Sequence, residues 1–202
     1  MMICVFKGET GLRLLEERIL KDGIVMEGDI LKVDSFLNHQ MDVSLFQAMA
    51  EEWKRLYADS EVNKILTIEA SGIGIACITA LAFRCPVVFA KKTKTRNIAG
   101  DVYRTQVQSY THDTCYDVIV SKRFLGGEDR LLLIDDFLAN GAALGGLMDL
   151  AAMAGARVIG AGIAIEKAYQ PGGRILRERG LRIESLARIA RMEDNGIVEF
   201  VS

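Results

Sequence analysis

Two adjacent acids, Asp135 and Asp136, follow four large apolar residues, Leu131 to Ile134. Behind them comes a run of small ones, Ala139-Asn140-Gly141-Ala142-Ala143. In open α/β sheets, ligands bind beyond the carboxyl ends of the strands, so acids at a strand end belong to a ligand site. Small residues opening the next helix make an anion site, because the first N–H groups of a helix lack partners and short side chains let a phosphate approach. Acids beside such a cradle point to a phosphorylated sugar, with carboxylates on its hydroxyls and amides on its phosphate. Taken alone, the pair fits two readings: that site, or a plain strand end followed by a helix cap. Either way the acids are expected to lie past the end of the sheet.

The elements that must position them alternate between strand and helix patterns, the mark of a parallel α/β sheet. Helices are predicted over Leu12 to Lys21 and over Asp42 to Tyr57, where Asp42 serves as N-cap and Leu45, Phe46, Met49 and Trp53 share one face. The run Lys64 to Ile68 reads as a strand, followed by a turn, Glu69 to Gly74, and a small-residue helix from Ile75 to Phe83. Val87 to Ala90 is the next strand. The polar stretch Lys91 to Asp101 has no apolar periodicity and reads as loop. Segments around Arg104 to Tyr110 and Tyr116 to Ser121 read as a β-hairpin with Thr111 to Thr114 as its turn. A helix over Ala142 to Ala154, ended by Gly155, and an apolar strand over Val158 to Ile165 complete the pattern. The length of 202 residues suits one domain.

Composition narrows the function classes. Half the residues are apolar and 26% are charged, as in a globular protein, and the net charge of -2 gives no basic excess to neutralise a nucleic-acid backbone. Cys4, Cys77, Cys85 and Cys115 form no CxxC pair, and His39 and His112 complete no metal-ligand spacing. Reduced thiols in a cytoplasmic protein are therefore expected. The start, MMICVFKGETG, has too short an apolar core for a signal peptide, and no stretch reaches the roughly 18 to 20 apolar residues of a membrane span.

The segment Ile134-Asp135-Asp136-Phe137-Leu138-Ala139-Asn140-Gly141 resembles the PRPP-binding motif of type I phosphoribosyltransferases (PRPP is 5-phosphoribosyl 1-pyrophosphate), and within them the form found in xanthine phosphoribosyltransferases. The general motif has Thr where Asn140 stands; Asn140 is the subgroup's variant. The resemblance runs through most of the chain. Leu31 to Gln40 looks like the N-terminal base-binding segment, and Glu69-Ala70-Ser71-Gly72-Ile73 like the pyrophosphate loop. Phe89-Ala90-Lys91-Lys92 looks like the strand end whose basic residues approach PRPP, with Ile165-Glu166-Lys167 and Glu184 to Ile189 completing the set. Met1 to Gly11 falls outside it and receives no role.

The resemblance implies a type I phosphoribosyltransferase fold: a central, mostly parallel sheet flanked by helices, with a small hood formed by about residues 24–40 and the C-terminal segment. It implies transfer of the phosphoribosyl group from PRPP to xanthine, with Asp135 and Asp136 on the ribose hydroxyls. Ala139, Asn140, Gly141, Ala142 and Ala143 would hold the 5′-phosphate. Ala70, Ser71 and Gly72 would offer amides to pyrophosphate, and Lys91 and Lys92, with Lys94 and Arg96, would reach it, across a dimer interface in some members. Leu31, Asn38 and Lys167 would contact the base, Leu31 by packing on the ring. Phe137 either stacks on the base or packs in the core. Thr93 to Tyr110 looks like a mobile hood over the site. Mg²⁺ is implied as the companion of PRPP, carried by substrate oxygens and waters rather than by a protein cage, and a homodimer is implied. A purine transferase with another base preference is the nearest alternative. A PRPP-sensing regulator is a further one, though such regulators usually carry an N-terminal DNA-binding domain, and only about ten residues precede the first predicted helix here.

Overall fold

The computed structural model describes residues 13–93, 101–108, 115–193 and 196–201. Its centre is an eight-stranded sheet in the order β10-β9-β8-β7-β3-β4-β6-β5. The strands are β3 (Lys64–Ile68), β4 (Val87–Thr93), β5 (Val102–Gln108), β6 (Cys115–Ser121), β7 (Arg130–Leu138), β8 (Arg157–Lys167), β9 (Ile183–Met192) and β10 (Val198–Phe200). The five central strands β9, β8, β7, β3 and β4 run parallel, and antiparallel strands close both edges. This is the mostly parallel α/β sheet expected from the alternating pattern. A separate antiparallel ribbon, β1 (Ile24–Met26) with β2 (Ile30–Lys32), leads into a π-helical turn at Asp34–Asn38.

Helices α1 (Arg13–Asp22), α2 (Val43–Leu56) and α3 (Ser71–Phe83) enclose one apolar cluster, in which Leu15, Phe36, Phe46, Trp53, Ile75 and Ile134 are fully buried or nearly so. Helices α4 (Ala142–Met153) and α5 (Pro171–Glu178) contribute Leu144, Leu147 and Leu176 to a second cluster with Leu131, Leu133 and Val118. Alternate residues of β7 thus feed both clusters, as period-2 side chains of a central strand must. Asp42 caps α2 by accepting from the Leu45 N–H at 3.1 Å, and also accepts from Arg18 at 2.7 Å, tying α1 to α2. No helix among the described residues is long and apolar enough to cross a membrane.

Several boundaries differ from those read in the sequence. Helix α3 begins at Ser71 rather than Ile75, because Gly72 and Gly74 are packed too closely to be turn residues. A Cβ on Gly74 would stand 2.6 Å from the Met41 sulfur, and that packing outweighs the roughly 1 kcal/mol propensity deficit of a helical glycine. Strand β4 continues through Lys91 and Lys92 to Thr93, since β6 supplies an antiparallel partner for all three. Most consequential is β7. It does not stop at Ile134 but runs through Asp135 and Asp136 to Leu138, correcting the expectation that the acids lie outside the sheet. The reason is non-local. Pairing of β7 with β3 ends at Leu133, but β8 continues beside it, with Asp135 opposite Ile163 and Phe137 opposite Ile165. One flank of the acid pair is hydrogen-bonded to β8 while the other is open. Strand β5 is fully paired with β6 from Val102 to Gln108, so this part of the expected mobile hood is sheet. The predicted turn Thr111 to Thr114, the basic residues Lys94 and Arg96, and Met1 to Gly11 lie outside the described residues.

Candidate active site

The open flank of β7 is where the chemistry-bearing side chains gather. Asp135 and Asp136 are only 5% and 8% exposed, although they are neighbouring acids. Asp135 Oδ1 accepts the Asp136 backbone N–H at 3.0 Å, and Asn38, from the end of the π-helical turn, donates to Asp136 at 3.3 Å. Burial, and next the charge of Asp136, push the Asp135 carboxyl well above the usual range, with Lys92 pulling weakly the other way. Tyr116 is pushed up as well, first by burial and then by the Asp135 charge. The acids therefore face different neighbours: Asp136 meets Asn38, while Asp135 feels Lys92 and Tyr116. Two adjacent buried acids are poorly satisfied by the protein alone, and hydroxyl donors or a cation at the open flank would relieve them.

The N-terminus of α3 meets this pair, and that of α4 follows β7 directly in the chain. The turn Glu69-Ala70, whose peptide bond is cis, leads directly into α3, and its N-cap Ala70 has no side-chain capping bond. A Cβ on Gly72 would run into the Thr67 hydroxyl and stand 3.4 Å from Asp135 Oδ1, so only glycine brings the start of α3 against the acid. Thr67 itself is fully buried, and its hydroxyl has no hydrogen-bond partner among the described residues. After β7, Gly141 takes a left-handed φ of 83° and α4 starts at Ala142. The Ala142 N–H is already held by Asn140 Oδ1 at 3.0 Å, which shapes the loop as an Asx turn. The N–H groups of Ala143 and Leu144 have no intrahelical acceptor, and a helix start of this kind favours an anion.

The remaining expected site residues divide. Lys92 lies by the acids, 5.3 Å from the Tyr116 ring centre, and its backbone N–H donates to Glu69 at 2.5 Å. Lys91 points to the other face of β4, where its ammonium sits 5.8 Å from the Phe89 ring centre, so the two lysines do not converge within one chain. Leu31 is 7% exposed, packed with the first core cluster beneath the β1–β2 ribbon rather than standing open to a ring. The alternation along β2 explains it: Ile30 and Lys32 point out and Leu31 in. Phe137 packs, half-buried, against that same cluster. Lys167, at the end of β8, is 9% exposed and donates to the backbone carbonyl of Asp29.

Sequence reasoning overlooked Asp29, Tyr169, Gln170 and Gly172. Gly172 Cα abuts the loop from Ala139 to Gly141: an added Cβ would stand 2.5 Å from Gly141 N and overlap Ala139 O and Asn140 C. The Gln170-Pro171-Gly172 sequence marks a helix start with Pro at N1, and that was the available signal. Asp29 gave only the turn signal of Gly28-Asp29. Among the described residues no group of three or more His, Cys, Asp or Glu side chains could hold a metal ion. The donor set that exists, two buried acids open on one flank, fits a cation that arrives with oxygen ligands of its own.

The model of the phosphoribosyl transferase domain matches residues 32–177, a span that includes both helix N-termini and the acid pair. A protein named xanthine phosphoribosyltransferase from Lachnoclostridium phytofermentans is 57% identical over 94% of this chain and 98% of its own length. One of the same name from Bifidobacterium adolescentis is 53% identical over 95% of this chain and all of its own. Among solved structures, an adenine phosphoribosyltransferase from Giardia lamblia shares the fold at a TM-score of 0.72, covering 86% of this chain and 97% of that one, with 22% identity. The chain belongs to the phosphoribosyltransferase family, on the branch whose members are named xanthine phosphoribosyltransferases.

Proposed function

We propose that the protein transfers the 5-phosphoribosyl group of PRPP to xanthine, giving xanthosine 5′-monophosphate and pyrophosphate. The observation that carries this reading is the buried pair Asp135–Asp136, open on one flank and bracketed by the N-termini of α3 and α4. One helix start suits the pyrophosphate, the other the 5′-phosphate, and the acids between them suit the ribose hydroxyls. In the reaction the bond from ribose C1 to pyrophosphate breaks and a bond from C1 to a purine nitrogen forms. The sugar gains positive charge on the way, and acids already fixed beside it stabilise that charge more than the ground state. Ala70, Ser71 and Gly72 bind the leaving group through the backbone, aided by Lys92 and, from the opposite face of β4, by Lys91 toward a second copy in a homodimer. Ala139, Asn140, Gly141, Ala142 and Ala143 hold the phosphate.

Asp135 and Asp136 would lie beside a Mg²⁺ ion carried by PRPP, and the ion would supply charge neutralisation at the pyrophosphate. Asn38 and Lys167 address the base, with the ribbon anchored by Leu31 as the wall of its pocket. Lys167 has only donors to offer, which suits the 2-oxo group that separates xanthine from hypoxanthine. The chain acts as one domain in which residues 24–40 and the C-terminal segment form the hood, and it works in the cytoplasm.

The test is a steady-state assay with PRPP, Mg²⁺ and each of xanthine, guanine, hypoxanthine and adenine, following pyrophosphate. The highest kcat/KM is expected with xanthine. Preference for another purine would keep the transferase and discard the base assignment. PRPP binding without turnover of any base would replace the enzyme with a regulator.

A further inference from the structure

The residue that holds Lys167 lies 138 positions away in the chain. Asp29 sits at the tip of the β1–β2 ribbon, in a turn where Gly28 and Asp29 both have left-handed φ, 81° and 64°. Its backbone carbonyl accepts from Lys167 Nζ, and its carboxylate faces the same ammonium at 3.4 Å. The carboxylate also accepts from the Tyr169 hydroxyl and from Gln170 Nε2, the latter at 2.5 Å. One residue of the hood thus binds three side chains that follow the end of β8. Partial burial pushes the Asp29 carboxyl up, but the donors Tyr169, Lys167 and Gln170 outweigh it and hold it below the usual range.

Resting on the reading of Lys167 as a base-recognising residue, we propose that Asp29 is a positioning residue for base specificity, locking the ribbon and Lys167 into one pocket wall. A lysine ammonium has three N–H groups on a flexible stem. With its backbone carbonyl and carboxylate, Asp29 engages two of them and fixes the head, leaving one donor for an oxo acceptor on the base. Tyr169 and Gln170 each engage one oxygen of the carboxylate, so both Asp29 oxygens are already tied to the end of β8. Its αL backbone, tolerable for Asp but unfavourable for most residues, brings its carbonyl and its carboxylate to the same ammonium.

A double-mutant cycle on the full chain tests this, with Asp29→Ala, Lys167→Ala and the pair, measured with xanthine and with hypoxanthine. Losing a charge-assisted contact predicts a rise of about tenfold in the xanthine KM of Asp29→Ala. The KM for PRPP should stay within about twofold, and the preference for xanthine over hypoxanthine should fall, because hypoxanthine has no 2-oxo group to lose. In the Lys167→Ala background the same change should add less than about twofold, since Asp29 acts through Lys167. Asp29→Asn, which keeps the carbonyl and one acceptor oxygen, should retain most of the wild-type preference. Equal losses in both backgrounds, or a parallel rise in the KM for PRPP, would show mere loosening of the hood and overturn the proposal. Tyr169→Phe guards against a folding failure: it removes one anchor of Asp29 and should shift the preference the same way, and no shift would count against the idea. If the unaltered enzyme prefers another purine, the xanthine reading falls, and the cycle run on that purine still decides the tie, coupled in favour and additive against.

Discussion

Replacing Asp135 by Asn should make the ligand-free protein more stable and the enzyme nearly inactive. Asp135 is 95% buried beside Asp136, and its acid is held well above the usual range by that burial and by its neighbour's charge. A carboxyl whose folded value is raised gains stability from its proton, fully present below 3.8 and lost as pH rises through the folded value. At neutral pH the native state therefore bears the strain of the acid pair. Asparagine keeps an oxygen to accept the Asp136 N–H and adds an amide donor toward the Asp136 carboxylate. Relief of this kind contributes about 1–2 kcal/mol, and for a chain of this length that is about 2–8 °C in Tm. Activity moves the other way: loss of a fixed charge beside the reacting sugar should lower kcat/KM by about 10²- to 10³-fold.

Thermal melts between pH 4 and 8, paired with the xanthine assay, read both effects. The variant's stability advantage should narrow toward pH 4, where Asp135 of the wild type holds its proton. Saturating PRPP and Mg²⁺ should reverse the order at pH 7.5, because ligand at about 100 times Kd adds about 2.7 kcal/mol to whichever protein binds it. A lower Tm for the variant, or a loss of activity under about tenfold, would refute the view of Asp135 as an acid kept in a poor environment for its function.

Two other perturbations separate site from scaffold. Gly172→Ala should raise the KM for PRPP severalfold with little change in the KM for the base, because the new Cβ displaces the loop from Ala139 to Gly141; an unchanged KM for PRPP would remove that loop from phosphate binding. Glu166→Gln should lower Tm by about 6–12 °C at pH 7, the effect of losing about 3 kcal/mol when one member of a buried ion cluster is removed. Glu166 is 2% exposed, and although burial pushes its carboxyl up, Arg177, Ser185 and Arg188 outweigh this and lower it. Its contribution is present above 4.5 and lost as pH falls through the folded value, so melts of the two proteins should converge on acidification and not on alkalinisation.

What the sequence disclosed, and what it withheld, follows the range of the interactions involved. Asp135, Asp136 and the small residues after them were legible because an apolar run, two acids and a helix start are adjacent in the chain. Their seat inside β7 was not, since only the pairing of Ile163 and Ile165 on β8 carries the strand past Ile134. Lys91 and Lys92 read as one basic loop, yet β6 extends β4 through them and the pleat sends them to opposite faces. Asp29 was the least legible. In the chain it is one turn residue after a glycine, and it becomes part of the site only when the ribbon folds over the end of β8, 138 positions later. On the proposed reading, the ribose site is thus legible from local sequence alone, while the choice of base rests on a contact between distant segments. A relative that kept the acid pair and carried at position 29 a residue with no side-chain acceptor should keep the transferase and show a weaker preference for xanthine over hypoxanthine.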